Sequence, residues 1–269
     1  MNSGFAATIV IPLLNQVDEW LEQCVRSALT QSTRCEVLVV ISPRTRRSNR
    51  DVLSALESEF DNLRRVERRT LGFALALNTG FAAASAERIG LLLSDDWLDE
   101  RAIETCLRHD ADIVSSGNSV FAADGKTFFP DVSWRPNLER FRSRGTMELK
   151  ARYLQHFFLF RKSKLLEIGG ADETLGDFPG IDDFDMIWVL LEHGATVAIV
   201  EQSLYNYRDH DGERLSLRPP EEAIRGLERI LEKHGIVGAE KEEITRTHAR
   251  WFGQPLHRVH AASQKAREP

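Results

Sequence analysis

Short apolar runs alternate with amphipathic stretches along the first half of the chain. Residues 8–14 (TIVIPLL), 36–41 (EVLVVI) and 89–93 (IGLLL) are nearly unbroken apolar runs. That pattern suits strands covered on both faces of a parallel sheet. Pro12 fits the first run only at an edge or a strand end, because it has no N–H to donate. Asn15 and Gln16 form the following turn, and Asp18 is placed to cap a helix. The apolar positions of that helix, Leu21, Val25, Ala28 and Leu29, recur at spacings of three and four. A second helix is expected over about 51–60, and a charged third strand over 63–69, whose charges suit a sheet edge. The small-residue segment FALALNTGFAAAS after Gly72 suits a helix packed close to a sheet. This strand–helix alternation predicts an α/β fold with a mostly parallel central sheet and right-handed crossovers.

Beyond residue 98 the pattern loosens. A helix over 99–108 and a strand over 111–116 are expected, then an irregular region over 118–147 with a hairpin turn at Asp124-Gly125. Residues 153–160 are apolar and aromatic, and 162–168 read as a short helix stopped by Gly169-Gly170. A longer helix over 182–193 ends at Gly194, and 196–201 read as a late strand. From Pro219 onward the chain reads as charged helices, with Ile224, Leu227, Ile230 and Leu231 forming a docking face. We divide the chain at 1–117, a ligand-binding half; 118–218, an acceptor half of the same domain; and 219–269, a helical extension.

Composition narrows the classes. The chain has 269 residues, 42% of them hydrophobic and 28% charged, as in an ordinary globular protein. A net charge of −6 without a basic tract argues against nucleic acid as a partner. No apolar run approaches the roughly 18 residues of a spanning helix, and the N-terminus reads as a strand, not a signal peptide. Contact with a membrane surface through Trp251, Phe252, Leu256 and Val259 stays open, although the mixed charges before them are not a membrane-binding pattern. Cys24, Cys35 and Cys106 fit neither a disulfide framework nor a zinc site, so the cytoplasm is the expected compartment.

The strand over 89–93 breaks into Ser94-Asp95-Asp96. Paired carboxylates at a strand end lie where open α/β sheets bind ligands. They suit a hard cation, and such a cation suits a phosphorylated ligand. Plainer readings exist. Asp95 and Asp96 are also ordinary turn residues ahead of a helix capped by Asp99. Asp182 and Asp185 have the spacing of a capping box. His210, flanked by Arg208, Asp209 and Asp211, also reads as a solvated loop histidine, and Trp97, Trp134 and Trp188 as core aromatics.

Set in order, these segments resemble the family 2 glycosyltransferases, which have the Rossmann-like GT-A fold. TIVIPLLN is similar to that family's opening strand, EVLVV to its second, and LGFALALNTGFAAA to the segment before its metal turn. LLLSDDWLD is similar to its FLDSDDxL motif, GGADETLGDFPGIDDFDM to GGFDE followed by ED-x-D-L, and SLYNYRDHDGERLS to L-x-x-YR-x-H. The chain departs from the family where Ile41-Ser42-Pro43-Arg44 replaces Asp-Asp-Gly-Ser, and where Leu93 replaces the first Asp of D-x-D.

The resemblance implies a metal-dependent, inverting transfer from a nucleotide-diphosphate sugar to a glycan, lipid-linked or small-molecule hydroxyl acceptor. It assigns the base to Asp183. Pro12, Leu14, Asn15, Ser42, Gly72, Asn78, Asp95, Asp96 and Arg208 fall on the donor side. Asp182, Asp185 and Trp188 fall on the acceptor side. Asp95, with His210, would hold Mg²⁺ or Mn²⁺. A non-catalytic sugar-nucleotide or glycan-binding protein is the alternative, and a sugar-phosphate nucleotidyltransferase a further one, weakened because LLNQVDEW lacks its glycine- and basic-rich loop.

Overall fold

The computed structural model describes residues 4–175, 182–212, 217 and 219–265, with the side chains of Asp182 and of 261–265 left outside the description. Its strands are β1 (Thr8–Pro12), β2 (Glu36–Ile41), β3 (Leu63–Glu67), β4 (Arg88–Leu91), β5 (Trp97–Leu98), β6 (Ile113–Ala122), β7 (Phe158–Arg161) and β8 (Val197–Asp209). The helices are α1 (Asp18–Leu29), α2 (Arg47–Glu59), α3 (Phe73–Ala83), α4 (Ala102–Cys106), α5 (Leu138–Arg142), α6 (Met147–Tyr153), α7 (Lys162–Glu167), α8 (Asp182–Glu192), α9 (Pro220–Lys233), α10 (Gly238–Ala249) and α11 (Leu256–Lys265).

All eight strands form one sheet in the order β3-β2-β1-β4-β7-β6-β8-β5. β1, β2, β3 and β4 pair in parallel, as the strand–helix alternation requires. β7 then runs antiparallel to both β4 and β6, and β5 antiparallel to β8, so the sheet is mixed. Charged β3 takes the edge, and Pro12 takes the last position of β1.

Alternation along the strands divides the core between the two faces. Val10, Leu38 and Val40 join α3, α8 and α9 on one face. Ile9, Ile11, Val37, Val39 and Ile41 join α1, α2 and α4 on the other. Each Leu, Ile or Val buried in this way contributes about 1.5–3 kcal/mol. The small residues of α3 have a steric cause: a Cβ at Gly80 would lie 2.3 Å from Val10 Cγ1.

Three expectations are corrected. Asp18 does not cap α1; its carboxylate accepts from Asn49 Nδ2. The strand expected over 111–116 runs on to Ala122 after register shifts around Gly117, so the boundary at Asn118 falls inside β6. The late strand expected over 196–201 continues to Asp209, because β6 and β5 flank its second half. The Asp124-Gly125 turn is present: Asp124 Oδ1 accepts from the N–H groups of Lys126 and Thr127.

Candidate active site

The acidic turn follows β4, and β5 holds its far end against Tyr205 and Asn206 of β8. Its two carboxylates differ. Asp96 is 1% exposed. Its Oδ2 accepts from the Tyr205 hydroxyl at 2.5 Å, and its Oδ1 from the Arg208 N–H at 2.7 Å. The Tyr205 oxygen accepts in turn from the Leu93 N–H at 3.3 Å. Burial, reinforced by Asp96, pushes the Tyr205 phenol far above its ordinary range, so it remains a donor. Asp95 stays accessible, its side chain 16% exposed.

Asp95 Oδ2 meets His210 Nε2 at 3.2 Å, while His210 Nδ1 accepts from the Gly212 N–H at 2.9 Å. Neutral imidazole carries one proton, so this arrangement puts it on Nε2, which donates to Asp95. Coordination of a metal through Nε2 would require the other tautomer and break the Gly212 bond. No cluster of three or more His, Cys, Asp or Glu side chains suited to a metal occurs among the described residues. Asp95 by itself still fits Mg²⁺ or Mn²⁺, which bind through one or two carboxylates and take their other ligands from phosphates and water.

Arg208, expected at the donor phosphates, is 2% exposed and engaged elsewhere. Nε donates to the Asp95 carbonyl, Nη1 to the Ala123 carbonyl and Nη2 to Gln23 Oε1. The guanidinium lies against Trp20 and Trp97. It ties the acidic turn to α1 and to the end of β6. Asp96 and Arg208 therefore shape the turn, and Asp95 is its accessible carboxylate.

Asp183 opens α8. Its Oδ1 accepts from the Phe184 N–H at 2.9 Å, and its Oδ2 lies 3.0 Å from His156 Nε2. At 24% exposure its side chain reaches a pocket of about 190 Å³. Asn118, Gln155, His156 and Tyr207 supply polar groups there, and Val132, Leu154 and Leu256 an apolar wall. Asp185 and Trp188 do not line this pocket. Asp185 is 1% exposed, bound to Lys233 Nζ at 2.7 Å and His234 Nε2 at 3.0 Å. Trp188 is buried and stacked on His234 at 4.0 Å. Both attach α8 to the C-terminal helices. The side chain of Asp182, expected on the acceptor side, lies outside the described residues, as do residues 176–181 and 213–216.

Both acidic regions are tied to the second half of β8 or to the residue that follows it. Tyr205 binds Asp96, Tyr207 lines the Asp183 pocket, and His210 binds Asp95. The His156 ring, bonded to Asp183, lies 5.3 Å from the Tyr205 ring. Asp209 accepts from the N–H groups of Leu256 and His257, which fixes the start of α11 at the pocket's edge.

The remaining residues expected on the donor side sit mostly at the ends of β1, β2 and β3. Asn15 Oδ1 accepts from the Arg46 N–H, joining two loops, and Leu14 is exposed. Ser42 is buried, its hydroxyl accepting from the Arg44 N–H. Gly72 precedes α3 as its N-cap. Asn78 turns elsewhere: it exchanges two hydrogen bonds with the Ala171 backbone. A Cβ at Gly170 would lie 2.1 Å from Asn78 Oδ1, so that joint excludes any larger residue there.

His156 was missed in the sequence. Its signal was one ionisable side chain inside the otherwise apolar and aromatic stretch YLQHFFLF. Asn118, Gln155 and Tyr207 carried no such signal, because long-range pairing alone brings them together.

Comparison with known proteins agrees with this architecture. Residues 8–169 match the family model described as Glycosyl transferase family 2. Glycosyltransferase GlyA of Streptococcus pneumoniae is 24% identical over 127 residues, 45% of this chain and 18% of that protein. The O-antigen biosynthesis protein RfbC of Myxococcus xanthus is 23% identical over 261 residues, 88% of this chain. The chain spans 18% of the length of each of these two relatives. The crystal structure of S. aureus TarS 1-349 superposes with a TM-score of 0.62 at 14% identity, covering 91% of this chain and 70% of that one. Its complex with UDP-GlcNAc gives 0.65 at 12% identity, covering 88% and 68%. At such identities the likeness is one of fold, and the fold is that of the GT-A glycosyltransferases. The family model spans more than half of the chain, which thus belongs to glycosyl transferase family 2.

Proposed function

We propose that the chain transfers a glycosyl unit from a nucleotide-diphosphate sugar to an acceptor hydroxyl, with inversion at the anomeric carbon. One observation carries this reading: Asp183 opens to a pocket while Asp95 sits accessible beside the same stretch of β8. Asp183 takes the acceptor's hydroxyl proton as the acceptor oxygen bonds the anomeric carbon. The bond from that carbon to the phosphate oxygen breaks, and the nucleoside diphosphate leaves with the electron pair. Such a base contributes about 10²–10⁴-fold in rate. A divalent cation on Asp95 would neutralise the developing charge on the diphosphate. The UDP-GlcNAc complex of TarS supports a nucleotide-sugar donor for this chain too.

Among the described residues no helix is long and apolar enough to cross a membrane. We assign the cytoplasm as the compartment. All three cysteines are free and buried, which suits the reducing environment of that compartment.

Calorimetry with UDP-sugars, with and without Mn²⁺, followed by product analysis, tests the proposal. Cation-dependent binding is expected, with slow donor hydrolysis that Asp183→Asn lowers by at least about 100-fold. Binding without turnover across a broad acceptor screen would overturn it in favour of a sugar-nucleotide-binding protein.

A further inference from the structure

His156 is the unassigned ionisable group closest to the proposed chemistry. Its Nε2 lies 3.0 Å from Asp183 Oδ2, and both side chains line the same pocket. Its Nδ1 is buried and meets no hydrogen-bond partner among the described residues. A proton on Nδ1 would thus be buried without an acceptor, which is costly, whereas a bare lone pair there costs less. The ring's proton belongs on Nε2, where a carboxylate oxygen receives it.

The ring is also held in place. It packs against Phe158 at 4.7 Å and Tyr205 at 5.3 Å between centroids. The backbone on either side is clamped to β6. The Ser115 hydroxyl donates to the Gln155 carbonyl at 2.7 Å, and the Phe157 N–H donates to Ser116 Oγ at 3.3 Å. The Ser116 N–H donates to the Phe157 carbonyl at 3.0 Å. A histidine anchored through neighbouring backbone, packed against two rings and carrying its proton on one known nitrogen can fix the direction of a carboxylate. Asp183 needs that: it stands at the first turn of a helix, and among the described residues its other oxygen is held only by the adjacent N–H.

We propose that His156 is the positioning residue of Asp183, donating from Nε2 to Oδ2 so that the carboxylate keeps one orientation toward the acceptor hydroxyl. This rests on the reading of Asp183 as the base. Because Nδ1 faces no partner, His156 does not pass the proton onward; the proton taken from the acceptor remains on Asp183 until product departs.

The test uses the full chain with donor hydrolysis or transfer as the assay. His156→Phe keeps an aromatic ring and removes the donor, and His156→Gln returns an N–H near the place of Nε2. The Phe variant is expected to lower kcat on the order of 100-fold, with donor KM and UDP affinity changed less than about two-fold. The Gln variant is expected to recover about ten-fold of that loss. A Phe variant with wild-type kcat, or a Gln variant no better than an equally folded Phe variant, would overturn the proposal. Nitrogen-15 NMR of the wild-type protein supplies a readout independent of activity and of variant folding. Protonation of His156 on Nε2 is expected, and a ring protonated on Nδ1 overturns the proposal. Asp183→Asn separates the two claims. A fully active Asp183→Asn variant removes the base reading and this one together, whereas an inactive one beside a fully active His156→Phe removes this one alone.

Discussion

Asp95 and Asp96 are adjacent, and their opposite orientations follow from the partners each side chain finds. Asp96 turns inward to the Tyr205 hydroxyl and the Arg208 N–H, both from β8. Asp95 is left at the surface of the turn with His210. In the sequence both carboxylates read alike, as one expected ligand site, and their different burial was not legible. It depends on residues more than 100 positions further along, as the Tyr205–Asp96 bond illustrates. Substitution separates the two. Asp96→Asn replaces an acceptor of two buried hydrogen bonds with an amide that presents N–H to one of those donors. Hydrogen bonds to charged groups contribute about 1.5–3 kcal/mol, so a fall in Tm on the order of 5 °C is expected. Asp95→Asn keeps an oxygen that can accept from His210 Nε2, so it is expected to leave Tm within about 1 °C of wild type, and to abolish the Mn²⁺ dependence of UDP binding. Differential scanning calorimetry beside titration calorimetry checks both. Loss of stability in Asp95→Asn, or of Mn²⁺ dependence in Asp96→Asn alone, would reverse the assignment.

At the scale of elements, α8 has two tasks on two faces. Asp183 meets the pocket, while Asp185 and Trp188 bind α9 through Lys233 and His234. The sequence of 182–193 read as a helix, and the resemblance placed Asp185 and Trp188 on the acceptor side; the plainer reading of Trp188 as a core aromatic is the one its burial matches. The second half of β8 was hidden in the sequence. The bulge at Gly117 of β6 shifts its register with β8 there, and the mixed polarity of SLYNYRDHD does not alternate. Lys233 also binds Asp172 at 2.8 Å, which links α9 to the segment ahead of α8. Burial would raise the Asp172 carboxyl, but hydrogen bonds from Lys233 and Thr174 outweigh it and bring the group down to about 2. A depressed folded-state value stabilises the protein above the unfolded value near 4. That stabilisation is lost as pH falls through about 2. Asp172→Asn is therefore expected to cost about 1–2 kcal/mol at pH 7, allowing for solvent screening. The gap from wild type should narrow steadily below about pH 4. Urea denaturation between neutral and acid pH checks it, and a gap constant with pH would remove Asp172 from the account.

For the whole molecule, the C-terminal helices are unequal partners of the sheet. The family match ends at residue 169, and the charged pattern beyond Pro219 reads as an appendage in sequence. Packing separates its parts. α9 buries Ala223, Leu227, Ile230 and Leu231, and the last three join the same core face as Met186, Ile187 and Leu190 of α8. Burial of three large aliphatic side chains contributes about 5–9 kcal/mol, comparable with the roughly 5–15 kcal/mol that holds a domain folded. α10 has no buried residue, and α11 places Val259 in the core while Leu256 walls the Asp183 pocket. Leu227, Ile230 and Leu231 of the docking face were legible because their spacing is helical, whereas Ile224 is only half-buried and Ala223 is buried in its stead. The pocket wall was not, because Asp209 positions α11 across 47 residues of chain through the Leu256 N–H. Two truncations should therefore diverge. A chain ending at Arg218 removes Leu227, Ile230 and Leu231 from the core face they share with α8, and no cooperative unfolding transition is expected by circular dichroism. A chain ending at Arg250 keeps α9, and cooperative unfolding is expected with UDP affinity within about three-fold of wild type. Its transfer rate should fall while donor binding persists, since the pocket beside Asp183 has lost a wall. A chain ending at Arg218 that unfolded as cooperatively as the one ending at Arg250 would make α9 an accessory and leave α8 to hold Asp183 without it.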